Sequence, residues 1–194
     1  MKTIVTFLVT LAFTICSLSA QEKTMKYEAS KKHPFGQYNP EAPKQLQDYK
    51  ELIGIAKCES VNRKPDQSWA KPIKMTWKWK YIMNGKAVQD ETLKEDGGHS
   101  GSIRQFSKDS LRWNVHYYSS RGVSSTLPVW NGNKSKDGKI VLYRKQNAPN
   151  GTEGFYRLTF YDISKEGYKW VGEWVDTTEK IVFPTWKISC IKED

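Results

Sequence analysis

Apolar and polar residues alternate along most of the chain from residue 53 onward, with the two-residue period of a β-strand. The clearest case is the segment 74–83. Met75, Trp77, Trp79, Tyr81 and Met83 share one face, whereas the opposite face carries Lys74, Thr76, Lys78 and Lys80. The pair Asn84-Gly85 follows, and both residues tolerate the positive φ angles of a tight hairpin turn. The segment is therefore predicted to be a strand that turns back at once into its neighbour.

Ten such segments are predicted as strands, and turn-forming residues separate them. The strands cover residues 53–60, 73–83, 86–93, 101–107, 111–119, 127–131, 139–145, 154–162, 168–175 and 181–191. Short connections favour antiparallel pairing, because parallel neighbours need crossovers of about a dozen residues or more. A large open sheet would also expose two unpaired edges. We therefore expect a single all-β domain in which an up-and-down antiparallel meander of about ten strands closes into a barrel.

One helical segment is predicted ahead of the strands, over residues 41–53. Leu46, Tyr49, Leu52 and Ile53 recur there at helical spacing. One or two helical turns with this apolar face would plug one end of the barrel.

The first twenty residues have the pattern of a signal peptide. Lys2 is their only charged residue, and the mostly apolar run from Ile4 to Cys16 is too short for a transmembrane anchor. Small residues allow cleavage after either Ser19 or Ala20. We expect a secreted or periplasmic protein with three parts: a signal peptide (1–20), a flexible polar arm (21–40) and a barrel domain (41–194).

Two cysteines, Cys58 and Cys190, remain after the signal peptide. In an exported chain such a pair predicts a disulfide. The two residues lie in the first and last predicted strands, which become neighbours when a meander closes. Two buried free thiols are the alternative interpretation.

The formal net charge is +10 at pH 7, and its distribution matters more than its size. The lysines are scattered through strands and turns, whereas a DNA-binding protein concentrates them on one element beside a docking motif. We therefore expect no nucleic-acid partner. No second long apolar run is present, so no stable membrane insertion is expected either, and we expect a monomer or a weak dimer.

A short helix leading into Leu-Ile-Gly-Ile-Ala-Lys-Cys at residues 52–58, followed by a meander of hairpins, resembles the calycin superfamily, which includes lipocalins and fatty-acid-binding proteins. The likeness is architectural and covers about residues 41–191. Lipocalins carry Gly-x-Trp in the first strand. Gly54 matches this motif, while Ala56 stands in place of the tryptophan, so the likeness is to the wider lipocalin-like class. The phrase Tyr-Lys-Trp-Val-Gly-Glu-Trp-Val at 168–175 is similar to secreted bacterial barrel proteins of unknown function and implies no activity.

The aromatic content of the strands is the main indication of function. Tryptophan and tyrosine have polar atoms that need partners, and they commonly line cavities for flat or amphipathic ligands. We predict a lumen that binds a small hydrophobic or amphipathic molecule, with an acidic head group as one form of it. The predicted ligand-binding residues are Trp77, Trp79, Tyr81, Arg104, Trp113, Tyr117, Arg157, Trp170 and Trp174. The alternative is that the aromatic residues simply fill the lumen.

Arginines on strands provide a candidate anchor for an acidic group. An arginine inside an aromatic lumen is costly unless it meets a carboxylate of the protein or of a ligand. We predict that Arg104, Arg112 or Arg157 receives the ligand's acidic head, as the resemblance to fatty-acid-binding proteins implies. The alternatives are an internal Arg157 to Glu173 pair and arginines that all face outward.

The orientation of the fifth strand can be predicted from its apolar residues. Those expected to face inward are Leu111, Trp113, Val115 and Tyr117. Those expected to face outward are Arg112, Asn114, His116 and Tyr118. A shift of one residue would reverse every assignment.

Three other kinds of function stay open at this stage. Haem held by His99 or His116 is one, although no metal or cofactor is expected. Acid-base catalysis by lumen groups is the second, and its candidates are Asp90, Glu91, Tyr117, Arg157 and Glu173. The third is binding of acidic polysaccharide on an outer face rich in lysine and tryptophan. The expected function is ligand binding without covalent chemistry.

Overall fold

A computed structural model describes residues 25–193. These residues form ten strands and a single 3₁₀ helix, and burial alternates along the strands. The 3₁₀ helix spans Lys44–Tyr49. The strands are β1 (Gly54–Asn62), β2 (Ile73–Ile82), β3 (Ala87–Lys94), β4 (His99–Ser107), β5 (Arg112–Ser119), β6 (Val129–Lys134), β7 (Ile140–Lys145), β8 (Gly154–Tyr161), β9 (Gly167–Asp176) and β10 (Val182–Lys192). The ten predicted strands are confirmed, with every end within three residues of its predicted position.

The strands form one closed antiparallel barrel. Each pairs with its neighbours in sequence, and β1 pairs with β10 to complete the ring. Closure satisfies the backbone groups that an open sheet would leave at its edges. The predicted fold class, an all-β up-and-down meander barrel, is confirmed. It is also the type of barrel that the calycin resemblance implied.

Successive connections alternate between the two ends of such a meander. We call one end the base: it holds the 3₁₀ helix and the turns β2–β3, β4–β5, β6–β7 and β8–β9. We call the other end the mouth: its loops cover residues 63–72, 95–98, 120–128, 146–153 and 177–181. A break in register between Pro184 and Trp186 marks β10 near the mouth.

The base is filled by aromatic side chains around Tyr49. The Tyr49 ring meets the Trp113 ring edge-on, with centroids 4.8 Å apart, and stacks on the Trp79 ring at 5.6 Å. Leu46 and Leu52, on either side of Tyr49 in sequence, are also fully buried. Burying a side chain of this kind stabilises the fold by roughly 1.5–3 kcal/mol, before any gain from ring geometry. The segment 41–53 thus plugs the barrel as predicted, although only 44–49 is helical.

Two residues predicted on inward faces lie in turns instead. Met83 and Leu111 are 54% and 66% exposed, and their φ angles are +55° and +52°. Both positions close hairpins at the base, where the chain must adopt a left-handed backbone. The inward assignment of these two residues was therefore wrong, because turn geometry outweighed the apolar alternation at the strand ends.

Residues 35–39 run beside the β2–β3 hairpin. The Tyr81 amide donates to the Phe35 carbonyl at 2.8 Å, and the Asn39 amide donates to the Gly85 carbonyl at 3.3 Å. Gly85 has a φ of +75°, and a Cβ there would lie 2.3 Å from the Gln37 carbonyl oxygen. Glycine at this turn therefore allows the close approach of the two backbones. The division into an arm and a barrel domain stays a prediction.

A disulfide joins the first and last strands. Cys58 and Cys190 face each other directly in the β1–β10 register, and their sulfur atoms are bonded. The predicted disulfide is confirmed, and it fits an oxidising compartment. The predicted signal peptide lies outside the described residues. Within residues 25–193, no helix has the length and apolar character needed to span a membrane.

A candidate ligand cavity at the mouth of the barrel

A cavity of about 200 Å³ lies in the lumen between the packed base and the mouth. Its lining residues come from β2, β3, β4, β5, β6, β8, β9 and β10. They are Trp77, Asp90, Thr92, Ser100, Ser102, Arg104, Val115, Tyr117, Trp130, Tyr156, Leu158, Trp170, Trp186 and Ile188. Tyr117, Tyr156 and Trp186 are only partly buried, so the cavity reaches solvent on the mouth side.

Indole rings form much of the wall. Trp170 and Trp186 meet edge to face with centroids 4.9 Å apart, and Trp77 approaches Trp170 at 6.4 Å. Gly172 leaves room for this arrangement, because a Cβ there would lie 2.6 Å from the Tyr156 hydroxyl and 2.7 Å from the Trp170 ring. The small residue in β9 is thus matched to large neighbours on the same inner face.

The floor of the cavity is a buried ion pair. One Asp90 oxygen contacts the Arg104 guanidinium, and the other accepts a hydrogen bond from Trp77 Nε1 at 2.7 Å. The Arg104 and Asp90 side chains are 3% and 4% exposed. Burial of a single charge this deep would be prohibitive, whereas the pair is formally neutral.

Aromatic rings of the base hold the other side of Arg104. Its guanidinium carbon lies 4.4 Å from the Trp79 ring centroid and 5.2 Å from that of Tyr49. Burial lowers the pKa of Arg104 and raises that of Tyr49 to about 12, and each group partly offsets the shift of the other. A guanidinium stacked on aromatic rings in this way is fixed in place by packing as well as by charge.

Most polar atoms around the cavity are already paired. The Thr92 and Ser100 hydroxyls lie 2.8 Å apart, Trp186 Nε1 donates to Ser60 Oγ at 2.8 Å, and the Tyr156 hydroxyl lies 2.7 Å from Thr185 Oγ1. Two buried donors of lining residues have no partner within the described part of the chain: Arg104 Nε and Trp130 Nε1. The cost of an unpaired buried N–H is about 1–3 kcal/mol, so such a donor is a candidate contact for a ligand acceptor.

The nine predicted ligand-binding residues divide into three groups. Those that line the cavity are Trp77, Arg104, Tyr117 and Trp170. Those buried in the lumen but outside the cavity lining are Trp79, Tyr81 and Trp113. Those outside both groups are Arg157 and Trp174.

Arg157 and Trp174 have partners elsewhere. Arg157 is paired with Glu173 at 2.8 Å and also contacts Glu179, and its strand neighbours Tyr156 and Leu158 take the inward positions. Trp174 Nε1 donates to the Gln146 carbonyl, 2.9 Å away in the loop at 146–153. The Arg157 to Glu173 pair exists, but its expected internal position was wrong, because Arg157 takes the outward phase of β8.

The orientation predicted for β5 is confirmed for the residues within the strand. Trp113 and Val115 are buried and Tyr117 lines the cavity, whereas Arg112 is exposed. His116 shares the outward phase of Arg112. Within residues 25–193, no group of three or more His, Cys, Asp or Glu side chains is arranged to hold a metal ion.

The lining also contains residues that are not among the nine predicted ones. Trp130, Tyr156 and Trp186 are aromatic residues of predicted strands, and Asp90 is one of the candidates for acid-base chemistry. Alternation gives the face of each strand, but not the height of a residue along the barrel axis. The pairing register supplies this height, because the lining residues Val115 and Trp130 face each other across neighbouring strands, as do Asp90 and Ser102.

No protein-family model matches the chain, and no curated protein sequence matches it. The solved structures that resemble the fold include the following two. The S-type phycobiliprotein lyase CPES from Guillardia theta has a TM-score of 0.49 and 8% identity, over 75% of this chain and 90% of that one. Rv2717c from M. tuberculosis has a TM-score of 0.49 and 12% identity, over 79% of this chain and all of that one. Neither likeness bears on what this chain binds.

Proposed function

We propose that this protein is an exported, lipocalin-like binding protein that holds a small hydrophobic or amphipathic molecule in its lumen. The observation that carries the proposal is the cavity of about 200 Å³, whose walls are aromatic and whose lining includes an indole N–H that has no partner among residues 25–193. A barrel that needed only a filled core would have used its aromatic residues to close this space, as it does at the base.

The cavity volume limits the part of the ligand that enters. An apolar cavity of about 150 Å³ accommodates benzene, whereas pockets for drug-sized ligands span about 300–1,000 Å³. The buried part of the ligand is therefore close to one aromatic ring with a short substituent. A larger molecule would project through the mouth.

The floor favours a polar but uncharged group at the inner end of the ligand. Asp90 already neutralises Arg104, so a carboxylate entering this deep would bring an uncompensated negative charge. A carbonyl or ether oxygen would accept from Arg104 Nε or Trp130 Nε1 without that cost. The proposed inner contact is therefore a neutral acceptor rather than an acidic head.

Reversible binding accounts for the polar residues better than acid-base chemistry does. Of the groups considered for catalysis, Asp90 and Tyr117 line the cavity, and both Asp90 oxygens are occupied, by Arg104 and Trp77. A carboxylate held in this way is poorly placed to take a proton from a substrate.

Export is proposed from the signal-like N-terminus and the Cys58–Cys190 disulfide together.

The test is native mass spectrometry of the protein purified from its secretion route, followed by denaturation and identification of any small molecule released. We expect a bound aromatic or amphipathic compound that leaves unchanged. Release of a chemically altered product from a supplied compound would instead indicate an enzyme.

A pair of variants on β8 tests whether the lumen is the site. Leu158→Trp places a larger ring in the cavity, whereas Thr159→Trp makes the same addition on the next, outward position. We expect Leu158→Trp to lose the retained compound and Thr159→Trp to keep it, with both variants folded by circular dichroism. Equal retention by the two variants would contradict the proposed site.

A further inference from the structure

Two cations stand at the mouth on strand positions that point inward. Lys94 continues the inward series of Asp90 and Thr92 on β3, and its Nζ lies 4.5 Å from the Trp186 ring centroid. Arg144 follows the buried Ile140 and Leu142 at two-residue spacing on β7. Its guanidinium carbon lies 5.2 Å from the Trp130 ring centroid. Each cation thus rests on an indole that lines the cavity.

The strand order places these two cations across the mouth from each other. Four steps around the ten-stranded ring separate β3 from β7, and five steps would be diametrically opposite. A ligand that leaves the cavity through the mouth must therefore pass between Lys94 and Arg144.

Within residues 25–193, the salt bridges of the barrel involve neither Lys94 nor Arg144, although the adjacent Lys145 is paired with Glu153. Desolvation lowers the pKa of Lys94, and the nearby Asp96 carboxylate, which forms its salt bridge with Arg121, offsets this shift only in part. This contrasts with the floor, where the Arg104 charge is already neutralised by Asp90.

We propose that the ligand is an amphipathic organic acid, with its uncharged aromatic end in the cavity and its anionic group at the mouth between Lys94 and Arg144. This proposal rests on the proposed binding function and adds the class and the orientation of the ligand. The orientation is opposite to the one predicted from sequence, in which an inner arginine receives the acid. The ion pair at the cavity floor has no net charge, whereas Lys94 and Arg144 are two cations at the mouth.

Binding of an anion at the mouth would also help to close the cavity. An anion bound by Lys94 and Arg144 would withdraw their charged groups from solvent. It would also hold the aliphatic parts of the two side chains over Trp186 and Trp130, which would close the cavity above the bound ring. The same contacts would be partly exposed to water, so salt should weaken them.

The test uses two probes that differ in charge and little in shape, 4-phenylbutanoate and 4-phenylbutanamide. Their affinities are measured by isothermal titration calorimetry for the wild type, Lys94→Gln, Arg144→Gln and the double variant. Lys145→Gln is the matched control, because it removes a positive charge from the next residue of β7 on the outward face.

We expect the wild type to bind the acid about tenfold more tightly than the amide, as a charge-assisted contact implies. The double variant should lose that preference and keep its affinity for the amide, while Lys145→Gln changes neither. The preference should also shrink as the salt concentration rises.

The outcomes separate the two proposals. If both probes bind equally well and the mouth variants change nothing, the acid-binding mouth is refuted and the binding cavity stands. If the amide binds and the acid does not, the mouth proposal is refuted as well. If neither probe binds the wild type, the proposed function fails and the mouth proposal fails with it.

Discussion

Removing the negative charge beneath the cavity should destabilise the fold strongly. In Asp90→Asn the side chain keeps its shape and can still accept from Trp77 Nε1, but the guanidinium of Arg104 loses its counter-charge. Arg104 is 3% exposed, so little water reaches the guanidinium to replace the lost carboxylate. Breaking a buried ion pair by removing one partner costs about 3–5 kcal/mol. That is a large part of the roughly 5–15 kcal/mol by which a domain is stable.

The double variant Asp90→Leu/Arg104→Met distinguishes lost charge balance from lost packing. Replacing a buried pair by apolar residues of similar size is often neutral or even stabilising. Because Asp90→Leu also removes the acceptor of Trp77 Nε1, a loss of about 1–3 kcal/mol, we expect the double variant to be less stable than the wild type by about that amount and more stable than Asp90→Asn. The assay is urea unfolding at neutral pH with the disulfide intact, followed by tryptophan fluorescence and circular dichroism.

Glu153→Gln is the control, because it breaks the Lys145–Glu153 pair, whose side chains are 70% and 67% exposed. Its effect should stay below about 1 kcal/mol. A cost for Asp90→Asn as small as that of the control would refute this prediction. It would mean that water in the cavity hydrates Arg104 as effectively as bulk water hydrates an exposed side chain.

Three further predictions concern the disulfide, the alkaline limit and the cavity wall. Replacing Cys58 and Cys190 by serine should lower the free energy of unfolding in urea by about 5 kcal/mol or less, the loop-closure value for a span of this length; an unchanged stability would refute it. Burial raises the pKa of Tyr49 from 10.0 to about 12, so only the unfolded state ionises between those values and stability falls as pH rises. Tyr49→Phe should remove up to about 1.4 kcal/mol per pH unit of that slope in urea titrations, and an identical slope would count against it. Gly172→Ala should displace the Tyr156 hydroxyl and weaken 4-phenylbutanamide binding in calorimetry, and unchanged affinity would show that the wall adapts.

The fold could be predicted from sequence because each strand follows a simple rule of alternation, and each turn has its own chemical signal. Trp77, Trp79 and Tyr81 on one face of β2 required a buried inner side, and the Asn84-Gly85 pair fixed where β2 ends. The two cysteines added a check on closure, since only a ring brings the first and last strands together. Met83 and Leu111 were misplaced where the alternation runs on into a turn.

The site was predicted only in part because depth along the barrel axis has no local signal. Trp77 and Trp79 share a face and differ by two residues, yet one lines the cavity and the other packs in the base. Arg104 and Arg157 are both strand arginines among aromatic residues, and only the phase of each strand separates a lumen residue from a surface one. The Asp90 partner of Arg104 lies on the adjacent strand, so the pairing register was needed to find it.

The separation of base and mouth has a consequence for how this barrel could be changed, by evolution or in the laboratory. The 3₁₀ helix, the aromatic plug around Tyr49 and the two cysteines all lie outside the five mouth loops. Sequence variation confined to those loops would leave the elements that close and fill the barrel untouched. The chain is thus a suitable scaffold for loop libraries, in which new specificities could be selected without first re-engineering the framework.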